Sequence, residues 1–283
     1  MTQERFQQSA DTVSRSIHGT LQALLRLQPR FMTLPQPGCA IPIEISSNPK
    51  FSPFFDGCVG ALDGTHISAM VAETECAPYR CRKGGLLMQN VLGVCGFDMM
   101  FQFIHVGWEG SAHDGRVLAD AYDKGFSIPE GRFYLADAGY AQREQVLVPY
   151  RGIRYHLKEW GQANERPVNA KELFNLRHAE LRNVIERIFG CMAKRFLILK
   201  AMRSFSLETQ RDLAIAIPIL FNIIRSDFSD DGFDDAVVVG LRRNDDEDDD
   251  PFEDDWERAD NWRDGIAEEM WLDYQQQLRR RGE

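Results

Sequence analysis

The chain of 283 residues lacks the features that mark membrane proteins, secreted proteins and metal-thiolate proteins. No stretch approaches eighteen consecutive apolar residues, and the N-terminus has no apolar signal segment, so we expect a soluble protein with no membrane partner. The six cysteines follow no spacing typical of a metal site, which favours reduced thiols in an intracellular protein. A zinc site at Cys76 and Cys81 is the alternative.

The sequence also lacks the positive net charge that is typical of nucleic-acid enzymes, because its formal net charge is -10 at pH 7. The acidity is local, however: residues 228–283 hold 20 acidic and 7 basic side chains, which leaves +3 for the rest of the chain. Residues 140–205 contain 13 lysines and arginines, 6 glutamates and no aspartate. Such a basic region would attract a phosphodiester substrate, although solvated helix faces are often basic too.

The N-terminal part of the chain divides into two segments before the main domain begins. Residues 1–28 carry apolar side chains on one helical face after Ser9, a residue that favours the start of a helix. This segment is either a truncated helix-turn-helix or a bundle helix that packs on the main domain. The prolines of residues 29–53 predict a linker or a wrapping segment.

The C-terminal part is predicted to consist of a disordered linker and a helix. Residues 229–255 form an acidic run that is too polar to build a core. Residues 256–283 are predicted to form an amphipathic helix that docks on this domain or on another chain. Its large side chains recur at four-residue intervals, at Trp262, Ile266, Met270 and Tyr274.

Two stretches of the main domain each place an aspartate near the end of an apolar strand. Residues 58–67 are apolar up to Asp63, and residues 132–140 repeat the pattern with Asp137, in both cases before a glycine. A buried carboxylate is costly unless it is paired, protonated or bound to a cation. Strand-end aspartates also cap turns, so this pattern is only one indication of a metal site.

A third carboxylate lies on the long helix predicted from Ala170 to Phe196. One face of this helix is apolar, while His178, Arg182 and Glu186 follow at four-residue intervals on a neighbouring face. An ordinary ion pair between Arg182 and Glu186 is the simplest interpretation. The two upstream aspartates make a metal-binding Glu186 the alternative.

The order of these elements predicts an RNase H-like α/β domain over residues 54–228, with a mixed sheet flanked by helices, an N-terminal helical segment and an acidic C-terminal tail. In that fold Asp63 and Asp137 lie on adjacent strands, and Glu186 lies across them. Three converging carboxylates repel one another, so we expect two Mg²⁺ or Mn²⁺ ions in the site. Such ions catalyse phosphoryl transfer without a covalent protein intermediate.

Five blocks of the sequence resemble the PIF/Harbinger-type DDE transposases and the Harbinger transposase-derived nucleases. They are GALDGTHI (60–67), RKGG (82–85), residues 90–118, FYLADAGY (133–140) and FNLRHAELRNVIERIFG (174–190). The resemblance implies that Asp63, Asp137 and Glu186 are the metal-binding catalytic triad of a DNA endonuclease or transposase. It also implies a nuclear location, a separate Myb/SANT-like protein for DNA recognition, and a truncated helix-turn-helix at residues 1–28.

Further polar residues near these blocks are candidates for substrate binding. Each has an ordinary structural role as its alternative. For His66 this is a structural hydrogen bond, and for Arg82 and Lys83 it is a position in a solvated loop. For His178 and Arg182 it is neutralisation of the charge of Glu186. For Asp114, capping of a helix is favoured over positioning of the active-site edge. The candidates are His66, Arg82, Lys83, His178 and Arg182.

The sequence leaves two rival functions open. One is a domesticated DNA- or protein-binding module in which cleavage has lapsed, and the other is an RNase H-like enzyme that acts on RNA. Assembly into a homo-oligomer is a further expectation.

Overall fold

A mixed five-stranded sheet forms the centre of the protein in the computed structural model, which describes residues 7–81, 85–155, 157, 166–200, 202, 205–227 and 256–281. The strand order is β3-β2-β1-β4-β5. Strands β1, β2 and β3 pair antiparallel, whereas β1, β4 and β5 pair parallel. The strands are β1 (Cys58–Ser68), β2 (Met88–Cys95), β3 (Phe101–Glu109), β4 (Phe133–Leu135) and β5 (Val146–Leu147).

Long helices flank this sheet and include one that precedes it and one that ends the described chain. They are α1 (Ala10–Arg26), α2 (Asp114–Asp123), α3 (Ala170–Arg195), α4 (Leu207–Asp227) and α5 (Trp256–Arg281). Short helical turns span Gln28–Phe31, Ile43–Ser46, Glu73–Glu75, Cys76–Tyr79 and Leu197–Lys200. No helix in the described part of the chain combines the length and apolar character needed to cross a membrane. The architecture confirms the predicted RNase H-like fold.

The two faces of the sheet bury separate apolar cores. Neighbouring side chains of β1 point to opposite faces, so Ala61 packs on the side of α3 and α4, and Leu62 packs on the side of α2. The core on the α3 side is the larger and extends to α5. The sheet is therefore covered by helices on both faces.

The helices at the two ends of the described chain pack against the same domain. Helix α1 lies along α4, where His18 Nε2 is 3.3 Å from Thr209 Oγ1. Helix α5 packs on α3, with Met270 fully buried and the Trp262 ring 5.0 Å from that of Phe133 in an edge-to-face arrangement. Of the two docking sites predicted for α5, the structure therefore shows the one on this domain. The predicted acidic linker, residues 229–255, lies outside the described residues.

Three fully buried side-chain amides attach the helices of the α3 side to the backbone around the sheet. Each amide oxygen accepts from a backbone N–H and the amide nitrogen donates to the carbonyl of the same residue, which satisfies both groups away from water. The pairs are Asn175 with Tyr150, Gln210 with Met70, and Asn222 with Phe101.

Replacing Asn222 by Leu should destabilise the fold by about 2–4 kcal/mol, because both backbone groups of Phe101 lose their buried partner. Urea denaturation would measure the change in the free energy of unfolding. The control is Gln276→Leu on the exposed face of α5, which should alter that free energy by less than about 0.5 kcal/mol. Equal stability of the Asn222→Leu variant and the parent would contradict this account.

Candidate active site

Strand pairing places the two predicted aspartates side by side. In the parallel pair of β1 and β4, Ala61 lies opposite Leu135. Asp63 and Asp137 each follow two residues later, so both side chains project from the same face of the sheet on neighbouring strands. Asp63 is 4% exposed and Asp137 is 8% exposed. The spatial neighbourhood predicted for these carboxylates thus follows from the register.

Helix α3 crosses this face and brings a cation and a third carboxylate to the aspartates. Arg182 Nη1 donates to Asp63 Oδ2 at 3.0 Å, and Arg182 Nη2 donates to Glu186 Oε1 at 2.5 Å. The predicted ion pair between Arg182 and Glu186 is therefore present, and it is part of a larger arrangement that includes Asp63. The Glu186 side chain retains 25% exposure, so this carboxylate lies at the solvent side of the group.

The guanidinium of Arg182 carries a permanent positive charge. Burial by itself lowers the pKa of this group, but Tyr155 and then the three carboxylates raise it well above its ordinary value. Asp137 acts on Arg182 together with Asp63 and Glu186, which means that all three carboxylates lie within electrostatic reach of one guanidinium. A buried charge of either sign is stable here because the opposite charge is present.

Two further side chains connect Arg182 to the sheet on its other side. Arg182 Nε donates to the hydroxyl of Tyr155 at 2.5 Å, and that oxygen is 3.4 Å from His178 Nδ1. His178 Nε2 is 2.9 Å from the carbonyl oxygen of Leu147, which can only accept, so this ring nitrogen carries the proton. The neutral His178 then accepts from Tyr155 at Nδ1. A chain of hydrogen bonds therefore runs from β5 to the guanidinium.

His178 is a structural member of this chain, since its side chain is fully buried. Burial lowers the pKa of His178 to about 3, and the nearby positive charge of Arg182 acts in the same direction. The structure therefore places His178 behind Arg182, and its predicted contact with substrate stays a prediction.

Asp137 has a second role that the sequence pattern also allowed. Its Oδ1 accepts from the backbone N–H of Gly139 at 2.9 Å, which closes the turn that follows β4. This bond orients the carboxylate relative to the strand. Asp137 can therefore cap this turn and still lie beside the other two carboxylates.

The opposite face of β1 holds a separate polar cluster. Gly64 follows Asp63 and so faces α2, where a Cβ atom at Gly64 would lie 2.3 Å from Asp114 Oδ1. Asn90 Nδ2 donates to the same oxygen at 2.7 Å. The side chain of His66 also lies on this face, where Nε2 is 3.1 Å from the carbonyl oxygen of Gly110. The structure therefore does not bring His66 or Asp114 together with the three carboxylates.

Arg82 and Lys83 lie outside the described residues, so their predicted contact with a DNA backbone stays a prediction. Sequence reasoning did not find Tyr155 or Asn90. Neither residue belongs to a periodic pattern, and only the packing of distant segments makes them neighbours of Arg182 and Asp114.

The three carboxylates have the chemistry that a divalent cation requires of its ligands. Asp63, Asp137 and Glu186 supply the hard oxygen ligands that Mg²⁺ and Mn²⁺ prefer, and the guanidinium of Arg182 shows that a cation is stable among them. Over the described ranges, no three acidic, histidine or cysteine side chains converge closely enough to hold one metal ion. The guanidinium of Arg182 lies between two of these carboxylates, those of Asp63 and Glu186.

The mixed five-stranded sheet flanked by helices is the fold of a DDE-type endonuclease domain. A model of the DDE superfamily endonuclease family matches residues 62–222, which contain all three carboxylates, and the chain belongs to this family. It is also similar to "Putative nuclease HARBI1" of Rattus norvegicus, with 25% identity over 225 residues, and to the Homo sapiens protein of the same name, with 24% over 228. The predicted resemblance to Harbinger-derived nucleases is thereby confirmed.

These relatives are longer than the matched part. Each alignment covers 76% of this chain and 59% of the relative, so the chain spans about three fifths of the length of the curated relatives it matches. No solved structure matches the chain.

The low pKa of His178 should make the protein less stable in mild acid. Between pH 6.5 and 3 the unfolded chain binds a proton at this residue and the folded chain does not, so the free energy of unfolding falls as pH falls through 6.5. From pH 7 to pH 5 this residue should account for a loss of about 2 kcal/mol.

The matched variant is His178→Gln, which can donate to Leu147 and accept from Tyr155 without titrating. Urea denaturation at pH 7 and pH 5 should show a smaller loss of stability for this variant than for the parent. The same pH dependence in both proteins would contradict a neutral, buried His178.

Replacing Gly64 by Ala should destabilise the protein by about 1–3 kcal/mol, because the new methyl group would overlap Asp114, which Asn90 holds in place. The control is Gly19→Ala in α1, where no atom lies within 4 Å of the new Cβ. That change should stabilise the protein by up to about 1 kcal/mol. Chemical denaturation measures the free energy of unfolding of both variants. An unchanged value for Gly64→Ala would contradict the overlap with Asp114.

Proposed function

We propose that the protein is a divalent-metal-dependent DNA endonuclease of the Harbinger type that cuts phosphodiester bonds through Asp63, Asp137 and Glu186. The observation that carries this proposal is the gathering of three carboxylates around one buried cation on a single face of the sheet. Membership of the DDE superfamily endonuclease family supports it. The two relatives, named as nucleases, support the same class of reaction.

Each side chain has a distinct role in this proposal. Asp63, Asp137 and Glu186 would hold Mg²⁺ or Mn²⁺, and two such ions would supply activation of a water or 3′-hydroxyl nucleophile and stabilisation of the leaving oxygen. Arg182 would donate to a DNA phosphate, as a planar guanidinium can do with two parallel hydrogen bonds. Tyr155 would keep that guanidinium beside the carboxylates. The exposed side of Glu186 marks the direction from which DNA would arrive.

The wider biology of the protein is part of the same proposal. The charge of +7 over residues 140–205 supports DNA as the substrate. Joining of a 3′-hydroxyl to target DNA, a Myb/SANT-like partner, assembly into a homo-oligomer and a nuclear location are proposed from the resemblance alone. They concern properties of whole proteins, and the match covers 59% of each relative.

A second candidate function is a DNA- or protein-binding module in which cleavage has lapsed. The specific observation in its favour is that Arg182 forms ion pairs with both Asp63 and Glu186, so a side chain of the protein itself balances part of their charge. An arrangement that is stable in this way would persist in a protein that had lost catalysis.

Purified protein should nick or linearise supercoiled plasmid DNA when Mg²⁺ or Mn²⁺ is added. The Asp137→Asn variant should lose at least about 100-fold in rate, because one charged ligand of the cation is removed while the side chain keeps its shape. Agarose gel electrophoresis over a time course measures the rate.

The matched control for this experiment is Asp123→Asn, which removes one exposed carboxylate at the end of α2. It should cut at the parental rate. If the parent and Asp137→Asn both bind DNA without metal and neither cuts it, the nuclease proposal is wrong and the binding module is favoured. Faster cutting of an RNA–DNA hybrid than of duplex DNA would assign the enzyme to RNA.

A further inference from the structure

The guanidinium of Arg182 uses all of its nitrogen atoms inside the protein. Nε binds Tyr155, Nη1 binds Asp63 and Nη2 binds Glu186, and the residue is 1% exposed. Such a group is an internal counter-ion. It is bonded to one oxygen of each of two proposed metal ligands, so those oxygens are engaged while Arg182 remains in place.

Charge balance around the proposed site changes when DNA is present. Three carboxylates and one guanidinium carry a net charge of about -2, and two divalent cations would turn that into about +2 while Arg182 stays charged. Phosphate groups of DNA would offset this excess. Without DNA, a second cation would meet a buried positive charge that cannot be deprotonated.

The two halves of the guanidinium are held differently. Its Nε is anchored to Tyr155, whose ring lies 5.7 Å from the guanidinium carbon and whose hydroxyl is backed by His178. The two Nη atoms instead hold carboxylates, for which a phosphate is a chemically equivalent acceptor. If the two Nη atoms move while Nε stays beside Tyr155, they can exchange their carboxylate partners for a phosphate.

We propose that Arg182 couples DNA binding to metal binding: it forms ion pairs with Asp63 and Glu186 in the DNA-free protein and releases them when it moves to a backbone phosphate. This inference rests on the proposed nuclease function. It assigns Arg182 a place in the order of events, and it assigns Tyr155 the role of a positioning residue. Because linkage is reciprocal, metal ions would strengthen DNA binding by the same factor by which DNA strengthens metal binding.

Titration of the intact chain with Mn²⁺, followed by electron paramagnetic resonance of the free ion, tests this coupling. Without DNA, Arg182→Gln should bind Mn²⁺ at least about 10-fold more tightly than the parent, because the competing cation is gone. A short duplex should strengthen Mn²⁺ binding at least about 10-fold in the parent and less than about 3-fold in Arg182→Gln. Gel electrophoresis confirms that the duplex stays intact.

Three further variants keep the test decisive. Arg26→Gln removes one exposed positive charge from α1 and should behave as the parent does. Arg182→Lys keeps the charge, so its Mn²⁺ affinity without DNA should stay near that of the parent. Tyr155→Phe keeps Arg182 and removes only its anchor, so it should reduce the effect of DNA on Mn²⁺ binding. This last variant tests the proposal even if Arg182→Gln does not fold.

Failure of the coupling and failure of the nuclease proposal give different results. Equal Mn²⁺ affinity of the parent and Arg182→Gln, together with weaker binding by Asp63→Asn, would overturn the coupling alone. If Arg182→Gln does not fold, an unchanged effect of DNA in Tyr155→Phe has the same meaning. Absence of Mn²⁺ binding that depends on Asp63 in every variant would overturn both proposals.

Discussion

The ion pairs of Arg182 with Asp63 and Glu186 determine how this face of the sheet can be built. The buried carboxylate of Asp63 is stabilised by a cation that reaches it from the crossing helix. The same cation draws in Glu186 and lies within electrostatic reach of Asp137. Packing of α3 on the sheet therefore also brings the residues of the candidate site together.

The register of the sheet gives each face its own polar cluster. Because side chains alternate along β1, Asp63 faces α3, whereas its neighbour Gly64 faces α2 and makes room for Asp114. The cluster around Asp114 and Asn90 fastens α2 to the sheet, and the carboxylate group faces the helix that carries Arg182. One strand thus contributes to a structural cluster and to the candidate active site through adjacent residues.

Local patterns predicted most of the elements. Asp137 follows the end of β4 by two residues, close to the predicted position, and the long periodic stretch from Ala170 is a single helix ending at Arg195. The prediction that Asp63 lies near a strand end is wrong, because β1 continues past Asp63 to Ser68. Four-residue spacing also placed Arg182 beside Glu186 correctly, because the geometry of a helix fixes that separation. Helical spacing could not predict the location of His66. That location depends on which helix covers each face of β1, and His66 lies on the α2 face while Asp63 lies on the α3 face.

The sequence by itself identified the three carboxylates as candidate site residues, predicted the fold class and showed the basic character of residues 140–205. These follow from local periodicity, composition and a family resemblance. Only the tertiary structure decided that Arg182 lies between Asp63 and Glu186, that Tyr155 and His178 link it to β5, and that α5 packs on this domain. The physical reason is that these contacts join residues far apart in the chain. Their partners are selected by burial and charge balance, which no local pattern records.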